Sequence, residues 1–240
     1  MSDKFSIELY TPELPAPHAF AIQLEIEKQG KALQTNFVLQ YIDRDSCTKD
    51  EILEEGYTGD DNISWQGILN ETWSQAFFAI LKNLQTESEE NEHHIFIKKS
   101  NGANPDKVGF TSSEELDYLL KELHQAVLED LQLELPLSIH IQEYDKGEPI
   151  IDLSCIASFL ERKAVIMLEN AGQNRQIELN WENLSKFMAE IFSHEFDQDK
   201  AQATINQPEG MYIETGNDLW IPIKGKAKET IKKAIREIIS

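Results

Sequence analysis

Hydrophobic and polar residues alternate along the first part of the chain, and this period of two predicts strands. The alternation covers residues 5–9, 20–26 and 33–41. A turn at Gly30 separates the last two stretches, and glycine suits the positive φ that a tight turn requires. These two stretches therefore predict an antiparallel hairpin with one solvated face.

The period becomes helical at residue 68, where apolar residues begin to recur on one stripe that continues to residue 84. Short strands are predicted at residues 95–97 and 108–110, and a second helix at residues 113–133. The predicted element order of the first half is therefore β-β-β-α-β-β-α.

The second half repeats this order with one additional strand before its first helix. Its predicted strands cover residues 137–141, 150–159, 164–168 and 175–179, and a helix follows at residues 181–192. Strands at residues 211–214 and 219–223 then precede a final helix at residues 227–239. The shared order predicts a tandem duplication. The alternative is a single α+β domain in which hairpins and helices alternate by chance.

The fold class predicted from these elements is α+β, with antiparallel sheets that are each covered by helices on one face. Residues 1–111 are predicted to form an N-terminal acidic α+β domain. Residues 112–240 are predicted to form a C-terminal α+β domain.

The sequence GMYIETGNDLWIPI at residues 210–223 combines a strand, a tight turn and a strand with an apolar-proline step, and it leads into the last helix. Together with the element order of residues 112–239, opened by the helix at 113–133, it resembles the type III secretion chaperone-like fold. The resemblance implies an acidic protein that binds an extended segment of a partner. Because members are typically dimers, it also implies either a pseudo-dimeric monomer or a dimer. No binding residue carries over from that family.

The net charge narrows the choice of partner. The chain carries 22 basic and 43 acidic side chains, a formal net charge of −21. Residues 1–135 hold 10 basic and 26 acidic residues, a net −16, whereas residues 224–240 hold 6 basic and 2 acidic residues, a net +4. Nucleic acids and anionic membranes are polyanions, so we expect neither as a partner. The lysines of the last helix are expected to face solvent.

Acidic residues are densest between Asp43 and Asp61, where eight acids stand against two bases. Aromatic residues lie within and just after this segment. The candidate partner-binding residues are Asp43, Asp45, Asp50, Glu51, Glu54, Glu55, Tyr57, Asp60, Asp61 and Trp65. Acids around aromatic anchors would suit a basic partner. The alternative interpretation buries the aromatic rings in the core and leaves the acids in solvent.

The same segment contains a partial calcium-loop pattern. Asp43, Asp45 and Glu54 fall at positions 1, 3 and 12 of such a loop. Position 6 is Thr48, where the sharp turn needs glycine, and a predicted strand precedes the loop instead of a helix. We therefore predict no metal. We expect a solvated loop and a short helix whose N-terminus is capped by Thr48 and Glu51.

Sequence motifs for catalysis do not occur in the chain. It contains no G-x-S-x-G, Walker or G-x-G-x-x-G pattern. His140 and Glu143 are three residues apart in a predicted strand, which places them on opposite faces. Cys155 is expected in a buried strand, and both cysteines are expected to be free thiols. No cofactor is predicted.

The start of the chain bears on location. It lacks the basic and apolar regions of a secretory signal. The apolar stretches are also far shorter than the ~20 residues that cross a bilayer. A cytoplasmic protein is therefore expected.

These patterns together favour a non-catalytic acidic module that binds a protein or peptide in a chaperone-like manner. The first alternative is an acidic immunity protein or nucleic-acid mimic that neutralises a basic partner. The second is an enzyme whose site assembles from residues distant in sequence.

Overall fold

The computed structural model describes residues 4–11, 14–87, 94–100, 105–170, 172–206 and 209–239. The chain divides into two compact units, Met1–Val127 and Leu128–Ser240. Each unit is built on a six-stranded sheet in which neighbouring strands are antiparallel.

The first sheet has the strand order β4-β3-β2-β1-β5-β6. Its strands are β1 (Lys4–Tyr10), β2 (Phe20–Gln29), β3 (Ala32–Tyr41), β4 (Ile63–Leu69), β5 (Ile95–Ser100) and β6 (Pro105–Thr111). The accompanying helices are α1 (Lys49–Glu54), α2 (Glu71–Asn83) and α3 (Glu114–Asp130).

The second sheet has the strand order β10-β9-β8-β7-β11-β12. Its strands are β7 (Leu137–Asp145), β8 (Glu148–Ser158), β9 (Lys163–Asn170), β10 (Gln173–Leu179), β11 (Gly210–Glu214) and β12 (Ile221–Ile223). Its helices are α4 (Trp181–Phe192) and α5 (Gly225–Ile239).

The two sheets have the same topology. In each, four strands are followed by a helix, two further strands and a closing helix. The pairing register also matches, because Ile7 of β1 lies opposite Leu24 just as Ile141 of β7 lies opposite Leu153. The predicted α+β class and tandem duplication are therefore confirmed.

Strand β4 is an element that the sequence did not predict. The helical stripe was predicted to begin at residue 68, but β4 continues to Leu69 and α2 begins at Glu71. The side chain of Asn70 sets this boundary, since it accepts hydrogen bonds from the backbone N–H groups of Thr72 and Trp73.

The equivalent helices α2 and α4 share two features that support the duplication. Asn180 caps α4 in the same way that Asn70 caps α2, by accepting a hydrogen bond from the backbone of the first turn. A buried phenylalanine follows at the same distance in each helix, Phe77 in α2 and Phe187 in α4. The same cap and the same core position thus recur in both units.

Helices cover one face of each sheet. In the first unit, Phe78 of α2 meets Phe5 of β1 edge-on at 5.8 Å, and His124 of α3 stacks on Phe37 of β3 at 6.0 Å between ring centroids. Burial lowers the pKa of His124, which favours a neutral ring in this core. In the second unit, the buried residues of the helices that join the core of the sheet are Leu184, Phe187, Ile191, Ile231, Ala234 and Ile235.

The boundary between the units lies within α3, between Val127 and Leu128. The sequence analysis placed it before this helix, at 111/112. The difference arises because buried residues of α3, among them Leu116 and Leu120, belong to the core of the first unit. Most of α3 therefore closes the first unit, in the position that α5 occupies in the second, and does not open the second unit.

Both cysteines are free, as predicted. Cys155 is fully buried in β8, and burial raises the pKa of its thiol to about 11, so the reactive thiolate is suppressed at neutral pH. None of the helices in the described ranges combines the length and the apolar character needed to cross a membrane.

Candidate partner-binding site

The densest acidic segment is an insertion in one copy of the duplicated fold. In the second unit, only two residues separate β9 from β10, and Asn170 pairs with Gln173. In the first unit, the equivalent strands β3 and β4 are joined by residues 42–62, which we call the acidic insertion. The fold itself closes this connection without extra residues, so the insertion is free to serve another purpose.

The insertion begins with a short 3-10 turn and continues into α1. The predicted cap is present: the Glu51 N–H donates to Thr48 Oγ1 at 3.3 Å, and the Thr48 N–H donates to Glu51 Oε2 at 2.7 Å. The backbone hydrogen bond from Thr48 lowers the pKa of Glu51. The predicted loop and capped helix are therefore confirmed. In the part of the chain that the structure describes, no three His, Cys, Asp or Glu residues are placed to hold a metal.

Arg44 fixes the insertion to the sheet. Its guanidinium lies 3.8 Å from the ring centroid of Tyr41 and 4.5 Å from that of Tyr57. Its Nη1 donates to Asp61 Oδ2 at 2.6 Å, and its Nε donates to the carbonyl of Pro17 at 3.1 Å. The two rings and the carboxylate hold a planar cation in one orientation, which suits arginine and not lysine.

Asp61 accepts hydrogen bonds from three directions. In addition to Arg44, the backbone N–H of Thr58 donates to it at 2.9 Å, and the hydroxyl of Thr58 donates at 2.6 Å. Partial burial alone would raise the pKa of Asp61, but these hydrogen bonds and the charge of Arg44 outweigh it and lower the pKa. Asp61 is therefore used inside the insertion and is not available to a partner.

Tyr57 is also occupied within the protein. Its hydroxyl lies 3.1 Å from His18 Nδ1, and its ring packs against Tyr41 at 5.2 Å. His18 Nε2 lies 3.5 Å from Glu55 Oε2. The half-buried Tyr57 thus joins the insertion to the β1–β2 connection instead of standing free as an anchor.

Trp65 is buried and lies in β4, beyond the insertion. Only 6% of its surface is exposed, and its indole lies over Gly67, where an added Cβ would come within 2.2 Å of the ring. The alternative interpretation, with aromatic rings in the core, therefore holds for this residue. A partner cannot use Trp65 as an anchor while β4 stays in place.

Five of the predicted acids are exposed, and their side-chain carboxylates make no hydrogen bond or ion pair with any of the described residues. These free carboxylates belong to Asp43, Asp45, Asp50, Glu54 and Asp60. Since Arg44 is neutralised internally by Asp61, Lys49 is the exposed base of the insertion. The insertion therefore presents a strongly negative surface.

Leu53 is the exposed apolar residue that the sequence analysis missed. It lies on α1 next to Glu54, and 51% of its surface is accessible. A single leucine in a short helix gives no periodic signal, so only the fold reveals its exposure. The insertion thus combines carboxylates with an apolar side chain.

His140 and Glu143 lie on opposite faces of β7, as predicted. On the outer face, away from the helices, His140 Nε2 lies 2.5 Å from Asp152 Oδ1, and Gln142 Nε2 donates to Asp152 Oδ2 at 2.9 Å. Glu143 is buried on the inner face. A cavity of about 460 Å³ lies near the end of α2 and the start of α3, and its lining combines apolar residues such as Ile80 and Phe110 with polar ones and contains no histidine or cysteine.

The expected solvent-facing lysines of the last helix are only partly free. Lys228 and Lys232 of α5 turn inward and bind Glu143 at 2.8 and 2.9 Å. Lys226 is exposed, and Lys233 pairs with Glu237 at 3.5 Å. The basic charge at the C-terminus is thus partly compensated within the second unit by the carboxylate of Glu143.

In comparisons with known proteins, no family model, no curated protein and no solved structure matches the chain. The resemblance to the type III secretion chaperone-like fold therefore stays a prediction.

Replacing Arg44 by alanine is expected to loosen the acidic insertion while leaving the first sheet intact. The side chain is 14% exposed, and its charged hydrogen bonds are worth about 1.5–3 kcal/mol. Amide hydrogens of residues 42–62 should therefore exchange roughly ten- to a hundredfold faster. Hydrogen exchange followed by mass spectrometry measures this.

The matched control is Arg44→Lys, which keeps the charge but not the planar fork. We expect it to restore little of the lost protection. Unchanged exchange in Arg44→Ala would show that the ring stack does not hold the insertion.

Proposed function

We propose that the chain is a non-catalytic acidic module that binds a protein or peptide partner through the acidic insertion, in a chaperone-like manner. The partner carries basic residues, and Leu53 adds an apolar contact. A partner of this kind complements a segment that exposes both carboxylates and an apolar side chain.

One observation carries the proposal. The insertion is present in only one of two units that otherwise share their topology, and its carboxylates are exposed while its arginine is used internally. Segments added to a fold that closes without them are common sites of recognition, because loops vary while the scaffold stays rigid.

Reversing two of the free carboxylates, in Asp50→Lys with Glu54→Lys, is expected to weaken binding of a basic partner about tenfold. Each exposed pair contributes up to about 1 kcal/mol, and reversal adds repulsion to that loss. The measurement is calorimetric titration of the full chain with a synthetic peptide rich in lysine and leucine.

The matched control is Glu134→Lys with Glu195→Lys, two exposed acids of the second unit whose reversal changes the net charge equally. Binding should stay within about twofold of wild type. Equal losses in both double variants would show that net charge, and not the insertion, drives binding, and would contradict the proposal.

Neutralisation of a basic protein, as by an immunity protein or a nucleic-acid mimic, is the second candidate function, and the free carboxylates are the observation that favours it. The two functions differ in their use of Leu53. A chaperone-like module should lose affinity in Leu53→Ser and show a shallow salt dependence. A neutraliser should tolerate that substitution and lose affinity steeply as salt is added.

A further inference from the structure

The outer face of the second sheet carries an apolar patch. Ile156 of β8 and Met167 of β9 are 53% and 51% exposed, and the half-buried Val165 lies directly opposite Ile156. We call Ile156, Val165 and Met167 the outer patch. Its side chains point away from α4 and α5, whose apolar residues pack on the other face.

The fold does not require this patch. Aligning the units on Leu24 and Leu153 makes Glu27, Gln34 and Asn36 of the first sheet the equivalents of Ile156, Val165 and Met167. The same topology is thus built with polar residues at these three positions in the first unit. At these three positions the second unit exposes apolar side chains where the first unit has polar ones, and this difference points to contact with another molecule.

Carboxylates border the outer patch. Asp152 of β8 lies directly opposite Glu169 of β9, and Glu178 of β10 lies opposite Val165. Like charges directly opposite each other are unfavourable in a sheet. On the other side, Lys163 is the base on the outer face of β9. His140 and Gln142 already occupy the carboxylate of Asp152. Glu169 and Glu178 are exposed and make no ion pair with the described residues, so they are the carboxylates open to a cationic side chain.

We propose that the outer patch binds an extended peptide segment of another protein that presents apolar residues and lysine or arginine on the same side, at every second position. The apolar side chains of that segment cover Ile156 and Met167, and its cations lie against Glu169 and Glu178. Every second residue of an extended chain points to the same side, so one side of the segment can meet the apolar patch and its acidic border together. This surface belongs to the second unit, whereas the acidic insertion belongs to the first.

The test uses the full-length chain and a short synthetic peptide in which leucine and lysine share one side of the extended chain and serine occupies the other. Backbone amide shifts in NMR spectra locate the bound peptide, and titration gives its dissociation constant. Binding to the acidic insertion accounts for shifts in residues 42–62, and we expect a second set of shifts in β8 and β9. The same peptide with glutamate in place of lysine should bind at least about tenfold more weakly.

The variants Ile156→Glu and Met167→Asn install the residues of the first unit at the equivalent positions. Each should weaken binding of the leucine–lysine peptide about tenfold, and Glu169→Gln should weaken it severalfold. The matched controls Glu27→Gln and Asn36→Gln change the equivalent face of the first sheet and should leave the affinity unchanged. Both sets of positions lie at the surface, so thermal unfolding should move little.

Three results would overturn the proposal. Shifts confined to residues 42–62 would locate peptide binding in the acidic insertion alone, and the proposed function would stand without this surface. Equal binding of the leucine–glutamate peptide would remove the role of the acidic border. Self-association of the wild type in sedimentation experiments, abolished by Met167→Asn, would identify a second copy of the chain as the occupant.

Discussion

Replacing Glu143 by alanine is expected to destabilise the second unit by about 3 kcal/mol. Glu143 is one of the few carboxylates turned toward the core, and 3% of its side chain is exposed. Lys228 and Lys232 of α5 both donate to its Oε1, at 2.8 and 2.9 Å. This carboxylate therefore holds the closing helix against β7, and removing it leaves two cations facing each other.

The expected loss lies at the low end of the range for broken buried ion pairs. Lys228 and Lys232 are 27% and 23% exposed, so both can recover part of their hydration by turning outward. Glu143 Oε2 has no hydrogen-bond partner among the described residues. Burying this unpaired oxygen reduces the net stabilisation that the contacts of Glu143 with Lys228 and Lys232 provide. Urea unfolding of the full chain, followed by circular dichroism, measures the change.

The pH dependence of stability tests the same cluster. Burial alone would raise the pKa of Glu143, but the hydrogen bonds and charges of Lys228 and Lys232 outweigh it and lower the pKa in the fold. The stabilisation is therefore complete above the ordinary glutamate value of about 4.5 and disappears as the pH falls through the lowered value. The stability difference between wild type and Glu143→Gln should shrink across this range.

An exposed ion pair on the same helix is the control. Lys233 and Glu237 are 3.5 Å apart, and 76% and 64% of their side chains are accessible. Glu237→Ala should change stability by less than about 1 kcal/mol. If Glu237→Ala and Glu143→Ala lower the free energy of unfolding by similar amounts, burial does not make the contacts of Glu143 more stabilising than an exposed ion pair.

The sequence could predict the class and duplication of the fold because most strands alternate cleanly. It missed β4, because Gly67 and the exposed Ile68 weaken the alternation of this edge strand. Ile68 and Leu69 were therefore assigned to the apolar stripe of the helix that follows. The asparagine caps at Asn70 and Asn180 were a usable signal for this boundary. Their meaning depends on aligning the two halves, which have little identity elsewhere.

Two features of the candidate site could be predicted, the negative charge of the insertion and the helix cap formed by Thr48 and Glu51, because each depends only on residues close together in the sequence. The contacts of Arg44 were not, because they join residues 17, 41, 57 and 61, which only the folded sheet brings together. The outer patch was hidden for another reason. Continuous apolar runs predict strands but do not show which side chains face outward, and the polar first unit supplies that comparison.

Replacing Phe187 by alanine is expected to cost about 3–5 kcal/mol, and Phe77→Ala should cost a similar amount. The two residues occupy the same position after the asparagine caps of their helices and are 3% and 0% exposed. A large buried ring leaves a cavity that a helix fixed at its N-cap cannot close fully.

The exposed Phe192 is the control for this pair. It lies at the end of α4 with 50% of its surface accessible, so Phe192→Ala should cost less than about 1 kcal/mol. Urea unfolding of the three variants gives the comparison. Comparable large losses for Phe77→Ala and Phe187→Ala would show that both copies still depend on the core position that they share. A small loss for one of them would show that the core around that phenylalanine has changed since the duplication. In that case neighbouring side chains could fill the space left by the ring.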